Sequence, residues 1–377
     1  MSARDVVVVG AGAIGTAVAW RCAQRGLAVT VVDPDPDRGA WRTAAGMLAP
    51  TTELHCTEVP LLQLNLDSLA RYPTFVAELE DEAGLNVGYL RSGAIAVAWD
   101  GADLSALRDL QRFAAGLGVD ARLLSGAQLR ELEPALASGL PGGLFAPGDH
   151  QIDPRLLHRA LVACCVARGV RFVTATAAVE VDADRVRGVR LDDGTRVAAG
   201  TIVLAAGSWS GQVEGVPPEA VPPVRPVKGQ TLRLTPPSGL RLRHIVRASV
   251  RGSAVYIVPR SDGRLVVGAS VEEAGFDLQP RAGAVYELLR DAQSVVPELS
   301  EAVFDEVCTG LRPGSPDNAP IAGPTAVRGL VHATGHYRNG ILLTPLTADG
   351  IAALIADGAM PDALESSAVN RFAAVAS

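Results

Sequence analysis

Three glycines near the start of the chain are spaced as G-x-G-x-x-G, at Gly10, Gly12 and Gly15. They stand between an apolar strand pattern at 5–9 and a helical pattern that begins near residue 13. The first glycine permits a tight turn, the second lets main chain approach a pyrophosphate, and the third brings helix against strand. Asp33 ends the next predicted strand, where it can accept a hydrogen bond from a ribose hydroxyl. The pattern predicts a dinucleotide site, but it does not separate a nicotinamide cofactor from FAD.

A second glycine-rich segment, GHYRNGILLTPLTADGI at 335–351, offers related chemistry near the other end of the chain. Gly335 and Gly340 bracket a tight connection whose amides face the following helix. A helix N-terminus attracts negative charge, and a reduced flavin is negative at its N1 and O2 atoms. The segment is therefore a candidate flavin contact, although a simple strand-to-helix turn has the same pattern.

Two arginines lie among glycine, proline and apolar residues, Arg312 in GLRPGSPDNAPIAG and Arg338 in the second glycine-rich segment. A guanidinium in such surroundings suits a fixed anion, and its fork matches a carboxylate with two hydrogen bonds. Tyr256, in the strand pattern VYIVPR, could donate to the same anion, although a tyrosine in a half-buried strand is by default a packing residue. We therefore take these three residues as candidates for binding an acidic substrate.

Composition excludes several classes of function. The 377 residues are 48% hydrophobic and 20% charged, which is typical of a globular chain of about two domains. A net charge of −7 leaves no basic surface for nucleic acid. The sequence shows neither a signal-peptide pattern nor an apolar run long enough to span a membrane, so we expect a cytoplasmic protein without a membrane partner. Five cysteines without a C-x-x-C pair, and six scattered histidines, favour neither disulfides nor a metal site.

The order of predicted elements indicates two interleaved units. The opening strand, helix and strand at 5–9, 13–25 and 28–32 form a βαβ unit, and the apolar strand at 202–206 is expected to rejoin it. Alternating stretches between 225 and 270 predict a largely antiparallel sheet. Further helices are predicted at about 60–84, 103–117, 127–133, 154–169, 282–295 and 346–358, with Asp153 as the N-cap of the fourth of these.

Six segments together resemble the D-amino-acid oxidase family of FAD-dependent amine oxidases, and in particular its glycine oxidase branch. These segments are VVVVGAGAIG (6–15), AAGMLAP (44–50), PVKGQ (226–230), YIVPRSDGRLVVGAS (256–270), GLRPGSPDNAPIAG (310–323) and GHYRNGILLTPLTADG (335–350). The resemblance implies an α/β fold, with a Rossmann-like FAD-binding domain at 1–50, 145–215 and 310–377. It also implies a substrate-binding domain on a large antiparallel β-sheet at 51–144 and 216–309.

The resemblance further implies roles for individual residues. Ala13, Ile14 and Asp33 would contact the FAD diphosphate and adenosine ribose, Ala45, Gly46 and Met47 the flavin, and the main chain of Ala178 the adenine. The pyrimidine side of the flavin would contact His336, Tyr337, Arg338, Asn339, Gly340, Ile341 and Leu342. Arg312 would bind the substrate carboxylate, assisted by Arg338 and Tyr256, while Met47 and Tyr256 would narrow the space around the α-carbon.

One departure from the family pattern concerns the ribose contact, and a comparison with related enzymes concerns how the flavin is held. Asp33 stands where the family often has glutamate, whose longer side chain reaches further toward the ribose. Related sarcosine oxidases tether the flavin through a cysteine seven residues before the aspartate of a P-D pair, and here that position is Gly310. Because Cys308 is out of register, we expect noncovalent FAD.

The activity that the resemblance implies is the oxidative deamination of glycine, sarcosine and small D-amino acids. O2 would be reduced to H2O2, and the imine or glyoxylate would supply thiazole synthesis for thiamine. The resemblance also implies a homotetramer. Two alternatives remain open from the sequence, a flavin dehydrogenase that uses another electron acceptor and a catalytically silent FAD-binding scaffold.

Overall fold

The computed structural model describes residues 5–375 of the chain, with side chains through residue 372. Residues 1–4 and 376–377, at the two ends of the predicted cofactor domain, lie outside the described residues. Over the described range the α-helices are α1 (Ala13–Gln24), α2 (Val59–Ala83), α3 (Gly101–Gly116), α4 (Gly126–Leu132), α5 (Pro154–Ala167), α6 (Ala282–Val295), α7 (Thr344–Asp357) and α8 (Asp362–Glu365).

A six-stranded sheet carries the first glycine-rich turn. Across the sheet its strands are β18 (Ile321–Pro324), β19 (Leu330–Thr334), β12 (Thr201–Leu204), β1 (Asp5–Val9), β2 (Ala28–Val32) and β8 (Arg171–Val173). β1 is parallel to both β2 and β12, whereas β18 runs antiparallel to β19. The residues from Ile202 to Leu204 are buried on both faces, as expected for a central parallel strand. The predicted βαβ unit and the return of this later strand to it are confirmed.

An eight-stranded sheet forms the second large layer. Across the sheet its strands are β17 (Val303–Gly314), β13 (Arg225–Thr235), β16 (Leu265–Gly268), β15 (Ser253–Pro259), β14 (Ile245–Val250), β4 (Ala94–Ala98), β6 (Gly142–Ala146) and β5 (Arg122–Ser125). Neighbouring strands are antiparallel except at the β14–β4 pair. The predicted antiparallel sheet is thus confirmed, but two predicted domain boundaries, at 145 and 310, fall inside β6 and β17.

Two smaller sheets complete the fold. One consists of β11 (Arg196–Ala198), β10 (Arg185–Leu191) and β9 (Ala177–Asp182), and the predicted turn at 192–195 joins β10 to β11. The other is the short pair β3 (Met47–Leu48) and β7 (His150–Gln151). β3 fixes the end of the predicted flavin loop.

Apolar residues cover both faces of the six-stranded sheet and one face of the eight-stranded sheet. Helices α1, α2, α5 and α7 cover one face of the six-stranded sheet through residues such as Val18, Phe75 and Leu161, and the three-stranded sheet covers its other face. One face of the eight-stranded sheet is covered by α6 through Leu288 and Val295. On its opposite face α3 packs over β4 and β6, and strands β13, β14, β15 and β17 line a cavity.

Candidate active site

A cavity of about 820 Å³ runs from the first glycine-rich turn to the face of the eight-stranded sheet opposite α6. This volume is within the range of cofactor and substrate sites. The structure brings together most of the predicted site residues in its wall, namely Gly10, Gly12, Ala13, Ile14, Asp33, Ala45, Gly46, Met47, Tyr256, Arg312, His336, Tyr337, Arg338, Gly340 and Ile341. The two glycine-rich segments, 325 residues apart in sequence at Gly10 and Gly335, therefore serve one site.

The three glycines of the first turn have different environments. Gly10 has a φ of +112°, and a Cβ built on it would lie 2.6 Å from the carbonyl carbon of Ala205. A Cβ on Gly15 would lie 3.1 Å from the carbonyl carbon of Gly10, so Gly15 sits against the strand and outside the cavity wall. A Cβ on Gly12 would meet nothing within 4 Å. Gly10 and Gly15 therefore allow close packing, while Gly12 leaves open space in which a ligand can approach main chain.

Hydrogen bonds hold the main chain of Ala11 on both sides. Its amide donates to Asp33 Oδ2 at 2.7 Å, and its carbonyl oxygen lies 2.7 Å from His158 Nε2. The His158 ring stacks on Trp41, with ring centroids 3.9 Å apart. Asp33 Oδ1 accepts from the Asp35 amide at 2.8 Å, so each carboxylate oxygen keeps a lone pair for a ribose hydroxyl. His158 lies on α5, distant along the chain from Ala11, and no motif in the sequence indicated its role.

Side chains from the eight-stranded sheet fix the loop at 45–47, which is predicted to line the flavin. Arg260 donates to the carbonyl oxygens of Ala45 at 2.7 Å and Ile152 at 3.0 Å. Burial lowers the pKa of Arg260 to about 10, and Asp153 opposes that shift. The Thr231 hydroxyl donates to the Thr43 carbonyl oxygen at 2.9 Å. The loop is therefore positioned by a buried cation that the sequence analysis did not single out.

The second glycine-rich segment forms a short 3-10 turn at Tyr337–Asn339 and then α7, which begins two residues before the predicted start. Among the main-chain hydrogen bonds of turns and loops in the described residues, none is donated by the amide of Gly340 or of Ile341. His336 Nε2 lies 3.0 Å from the Thr347 hydroxyl, and burial lowers the pKa of His336 to about 3. His336 is therefore neutral at physiological pH, and the free amides are the donors at this end.

Besides Gly15, three residues predicted to bind the cofactor do not lie in the cavity wall, namely Ala178, Asn339 and Leu342. Asn339 is buried, and its main chain bonds to His336 and Leu343. Leu342 is buried in the core, where its carbonyl oxygen accepts from the Ser68 hydroxyl at 2.6 Å. These two residues support the turn from behind.

Ala178, whose main chain is predicted to contact the adenine, lies next to the cavity wall. Thr176 and Ala177 line the cavity, whereas Ala178 does not. Side chains alternate along β9, so that Ala177 is buried and Ala178 lies on the other face. The main-chain contact at Ala178 stays a prediction.

Arg312 enters the cavity from β17. Its Nη1 donates to the carbonyl oxygens of Ser270 at 3.1 Å and Lys228 at 3.4 Å. Within residues 5–372, no carboxylate lies within ion-pair distance of its guanidinium. A positive charge held only by carbonyl dipoles in a largely apolar cavity is suited to an acidic ligand.

Arg338 has a different environment. Its Nη2 lies 2.7 Å from Glu58 Oε2, and its guanidinium stacks over the Tyr337 ring at 5.2 Å. The carboxylate of Glu58 compensates its charge. Arg312 is therefore the stronger of the two predicted anion ligands, while Arg338 lines the same cavity.

Tyr256 lies in the same cavity wall as Arg312. Burial raises the pKa of its phenol, so Tyr256 stays protonated at physiological pH and can donate. A Cβ on Gly268, which faces the ring from β16, would lie 2.6 Å from Tyr256 Cε2. Gly229 likewise makes room for Arg312, because a Cβ on Gly229 would lie 2.6 Å from Arg312 Cζ. The sequence motifs contain both glycines, but only the sheet register shows which side chains they make room for.

Two further structural observations concern the described residues. No helix among them is long and apolar enough to cross a membrane. The same part of the chain contains no group of three or more His, Cys, Asp or Glu side chains arranged to hold a metal ion.

Comparison with known proteins decides the family. The family model for FAD-dependent oxidoreductases, DAO, matches residues 5–354. The chain belongs to this family. It is an FAD-dependent oxidoreductase, and the family assignment that the sequence motifs predicted is confirmed.

Individual relatives show which members of the family this chain is similar to. This DAO-family enzyme is 34% identical over 354 residues to the glycine oxidase of Geobacillus kaustophilus, covering 93% of this chain and 92% of that one. The crystal structure of the Geobacillus glycine oxidase superposes with a TM-score of 0.87 at 31% identity, over 97% of this chain and 98% of that one. The enzyme is also 35% identical over 357 residues to the bifunctional protein ThiO/ThiG of Trichormus variabilis. That match covers 94% of this chain but only 52% of the relative, so the chain spans about half the length of that protein.

The cavity of this DAO-family enzyme fits FAD. Gly12 leaves open space beside the N-terminus of α1, whose first-turn amides have no partner within the helix. The free amides of Gly340 and Ile341 supply a second set of donors, suited to the negative side of a flavin. The extended cavity joins the two sets, as a dinucleotide requires.

Proposed function

We propose that the enzyme catalyses the oxidative deamination of glycine, with sarcosine and small D-amino acids as further substrates. The overall reaction is glycine + O2 + H2O → glyoxylate + NH3 + H2O2. The observation that carries this proposal is the uncompensated Arg312 guanidinium beside the Tyr256 phenol in the cofactor cavity. Similarity to a glycine oxidase over nearly the whole chain supports it.

FAD would be held at both ends of the cavity. The amides at Gly12, Ala13 and Ile14, which line one end of the cavity, would hold the diphosphate, and Asp33 would hold the ribose. The loop at 45–47 and the turn at 336–341, which also line the cavity, would hold the flavin. When bound, FAD supplies the acceptor for the two electrons and the hydrogen that leave the α-carbon of the substrate.

The work of the protein is to bind and orient the amino acid. Arg312 holds the α-carboxylate through its fork, and Tyr256 donates a further hydrogen bond to it. With the carboxylate held by Arg312 and the amine also held in place, only one of the two α-hydrogens of glycine would point toward the flavin. The amine reacts in its neutral form because its lone pair assists the departure of that hydrogen. Arg312 and Tyr256 are thus sufficient for binding, and the reaction needs no additional protein base.

The same geometry predicts the order in which the enzyme prefers its substrates. A D-amino acid places its side chain where glycine has its second α-hydrogen, whereas an L-amino acid turns its single α-hydrogen away from the flavin. We therefore expect a graded loss of kcat/KM from glycine to D-alanine to D-phenylalanine, and no turnover of L-amino acids. One added methylene changes discrimination by only about 1–3 kcal/mol, so D-alanine remains a substrate.

We further propose that the product supplies thiazole synthesis for thiamine, as the sequence resemblance implies. The half-length match to the bifunctional ThiO/ThiG protein supports a reaction that works beside a second activity. FAD would be noncovalent, and the homotetramer stays a prediction.

Peroxide formation on glycine tests the proposal. Purified enzyme is assayed under air with glycine, first alone and then with an artificial electron acceptor. Peroxide in the first assay is the expected result. Turnover that requires the artificial acceptor would identify a flavin dehydrogenase instead, and flavin binding without turnover of any amino acid would identify a silent scaffold.

A further inference from the structure

The cavity continues beyond Tyr256 along the eight-stranded sheet. In the register of that sheet, Ala96 of β4, Arg247 of β14 and Tyr256 of β15 are directly opposite one another. Directly opposed residues project from the same face of a sheet, and all three line the cavity. Arg247 is therefore a further arginine of the cavity wall, besides Arg312 and Arg338, and it lies on the far side of Tyr256 from Arg312.

Arg247 is held by a carboxylate but is not enclosed by it. Its Nη1 donates to Glu53 Oε1 at 2.6 Å and lies 3.8 Å from Met47 Sδ. The side chains of Arg247 and Glu53 keep 24% and 16% of their exposure. Up to residue 372, no other protein acceptor lies within hydrogen-bond distance of the guanidinium. Its Nε and Nη2 edge is therefore available to a ligand, because a guanidinium carries five N–H donors.

A buried carboxylate fixes the segment that presents Glu53. Asp149, which is fully buried, accepts from the amides of Thr51 at 3.0 Å and Thr52 at 2.9 Å. It also accepts from the Thr52 hydroxyl at 2.7 Å. Glu53 follows directly, so its carboxylate is carried on anchored main chain. The ion pair of Glu53 with Arg247 is thus held in a fixed position in the cavity wall.

Small side chains leave room beside the guanidinium of Arg247. Ser249 of β14 and Ala254 of β15 are directly opposite each other, two residues beyond Arg247 and Tyr256. Both line the cavity, which α3 closes at this end through Leu107. A site for glycine alone requires none of this volume, because glycine has no side chain.

The spacing of the strands gives an estimate of ligand length. The Arg312 guanidinium lies over Gly229 of β13, and β13 is three strand spacings, about 14 Å, from β14, which carries Arg247. A guanidinium and the carboxyl carbon it binds are about 4 Å apart. Subtracting this at both ends leaves about 6 Å between two carboxyl carbons. A chain of three or four atoms between the carboxyl groups spans that gap.

We propose that Arg247, held by Glu53, forms a second anion-binding position that recognises amino acids carrying a second acidic group. The class includes D-glutamate and glycine with a carboxymethyl group on its nitrogen. This inference rests on the proposed function for the identity of the first carboxylate site, at Arg312. Arg247 is the specificity residue, and Glu53 and Asp149 are positioning residues.

A binding measurement tests the second site without requiring turnover. Glutarate and its monoamide, glutaramate, have the same shape and differ by one charge. Each is titrated into the FAD-loaded enzyme, and Kd is read from the perturbation of the flavin absorbance. We expect glutarate to bind about tenfold more tightly, the effect of one charge-assisted hydrogen bond pair. The kcat/KM ratio of D-glutamate to D-glutamine should show the same preference.

Two variants with opposite expected effects sharpen the test. Arg247→Met removes the cation, so the preference for glutarate should vanish or reverse, because Glu53 is then unpaired. Glu53→Gln keeps a hydrogen bond to Arg247 and removes the competing charge, so the preference should increase. Arg251→Met is the matched control, since Arg251 is exposed, lies outside the cavity wall and contributes the same charge. It should leave the preference unchanged.

The outcomes separate this inference from the proposed function. Equal affinity for glutarate and glutaramate in the wild-type enzyme, or a preference unchanged by Arg247→Met, overturns the second anion site. If Arg247→Met fails to fold, Glu53→Gln decides, and a preference that does not rise counts against the site. Failure to oxidise glycine would overturn the proposed function and leave the binding result to stand by itself.

Discussion

Gly229 lies beneath the guanidinium of Arg312, and a Cβ built on Gly229 would come within 2.6 Å of Arg312 Cζ. The two residues belong to adjacent strands, β13 and β17, which pair in antiparallel register. The absence of a side chain at position 229 therefore allows the arginine to lie flat across the neighbouring strand. This arrangement places the guanidinium in the cavity.

The first prediction follows from that contact. Gly229→Ala should displace the guanidinium, because the added methyl group meets its rigid centre. We expect KM for glycine to rise by about tenfold, the loss of roughly one charge-assisted hydrogen bond, while the FAD content stays unchanged. Gly283→Ala is the control, since a Cβ there meets nothing within 4 Å. Unchanged steady-state kinetics in Gly229→Ala would show that Arg312 does not hold the substrate.

The two candidate carboxylate ligands are separated by a pair of matched substitutions. Arg312→Met should lower kcat/KM for glycine by about 30-fold or more, corresponding to the 2–5 kcal/mol of a broken buried charge pair. Arg338→Met should cost less, because Glu58 already compensates Arg338. Steady-state kinetics on both variants, with FAD content measured in parallel, test this order. The reverse order would assign the carboxylate to Arg338.

FAD is expected to be released by acid. Cys308 is buried, and its Sγ lies 3.1 Å from Arg155 Nη2, which also pairs with the partly exposed Glu306. Burial raises the pKa of the Cys308 thiol. Across the described chain the cavity wall includes Gly310 but not Cys308. Acid precipitation of the yellow protein should leave the colour in the supernatant. Colour that stays with the pellet would show a covalent flavin, and Cys308→Ser would then test this cysteine directly.

Acid should destabilise the fold partly through His332. Burial lowers the pKa of His332 from 6.5 to about 4. Between these pH values the unfolded chain binds a proton that the folded chain does not. The contribution of His332 to the free energy of unfolding is therefore complete above pH 6.5 and declines as the pH falls toward 4. The expected slope is about 1.4 kcal/mol per pH unit for this group.

Urea unfolding with excess FAD measures that slope. In His332→Leu the free energy of unfolding should depend less steeply on pH between 6.5 and 4.5. His55→Leu serves as the control, because His55 is exposed. Identical pH profiles for the wild type and His332→Leu would show that another group causes the acid sensitivity.

The layers of the fold could be predicted from the sequence because the periodicity of apolar residues and the spacing of glycines are local signals. The strand at 5–9 and the N-cap Asp153 are found as predicted, and Asp153 accepts from the Arg155 amide at 2.8 Å. The strand predicted within 88–99 is shorter, Ala94–Ala98. Glycine at 93 has a φ of +69° and precedes the strand, so main-chain geometry delays its start.

The site was less accessible to sequence reasoning, since its contacts join distant segments. Arg260, His158 and Asp149 bind main chain of other elements, and a local pattern cannot show such partners. The sequence also could not show that Ala177 rather than Ala178 lines the cavity, because the face on which each strand residue lies is set by strand pairing. Asn339 and Leu342 belong to the predicted turn, but its curvature directs them into the core.

Anaerobic mixing of the FAD-loaded enzyme with glycine is the most direct test of the central claim. The account predicts that glycine removes the visible absorbance of the flavin, that air restores it, and that peroxide and glyoxylate then form in equal amounts. Flavin absorbance that glycine leaves unchanged, while another amine or an L-amino acid removes it, would contradict the account.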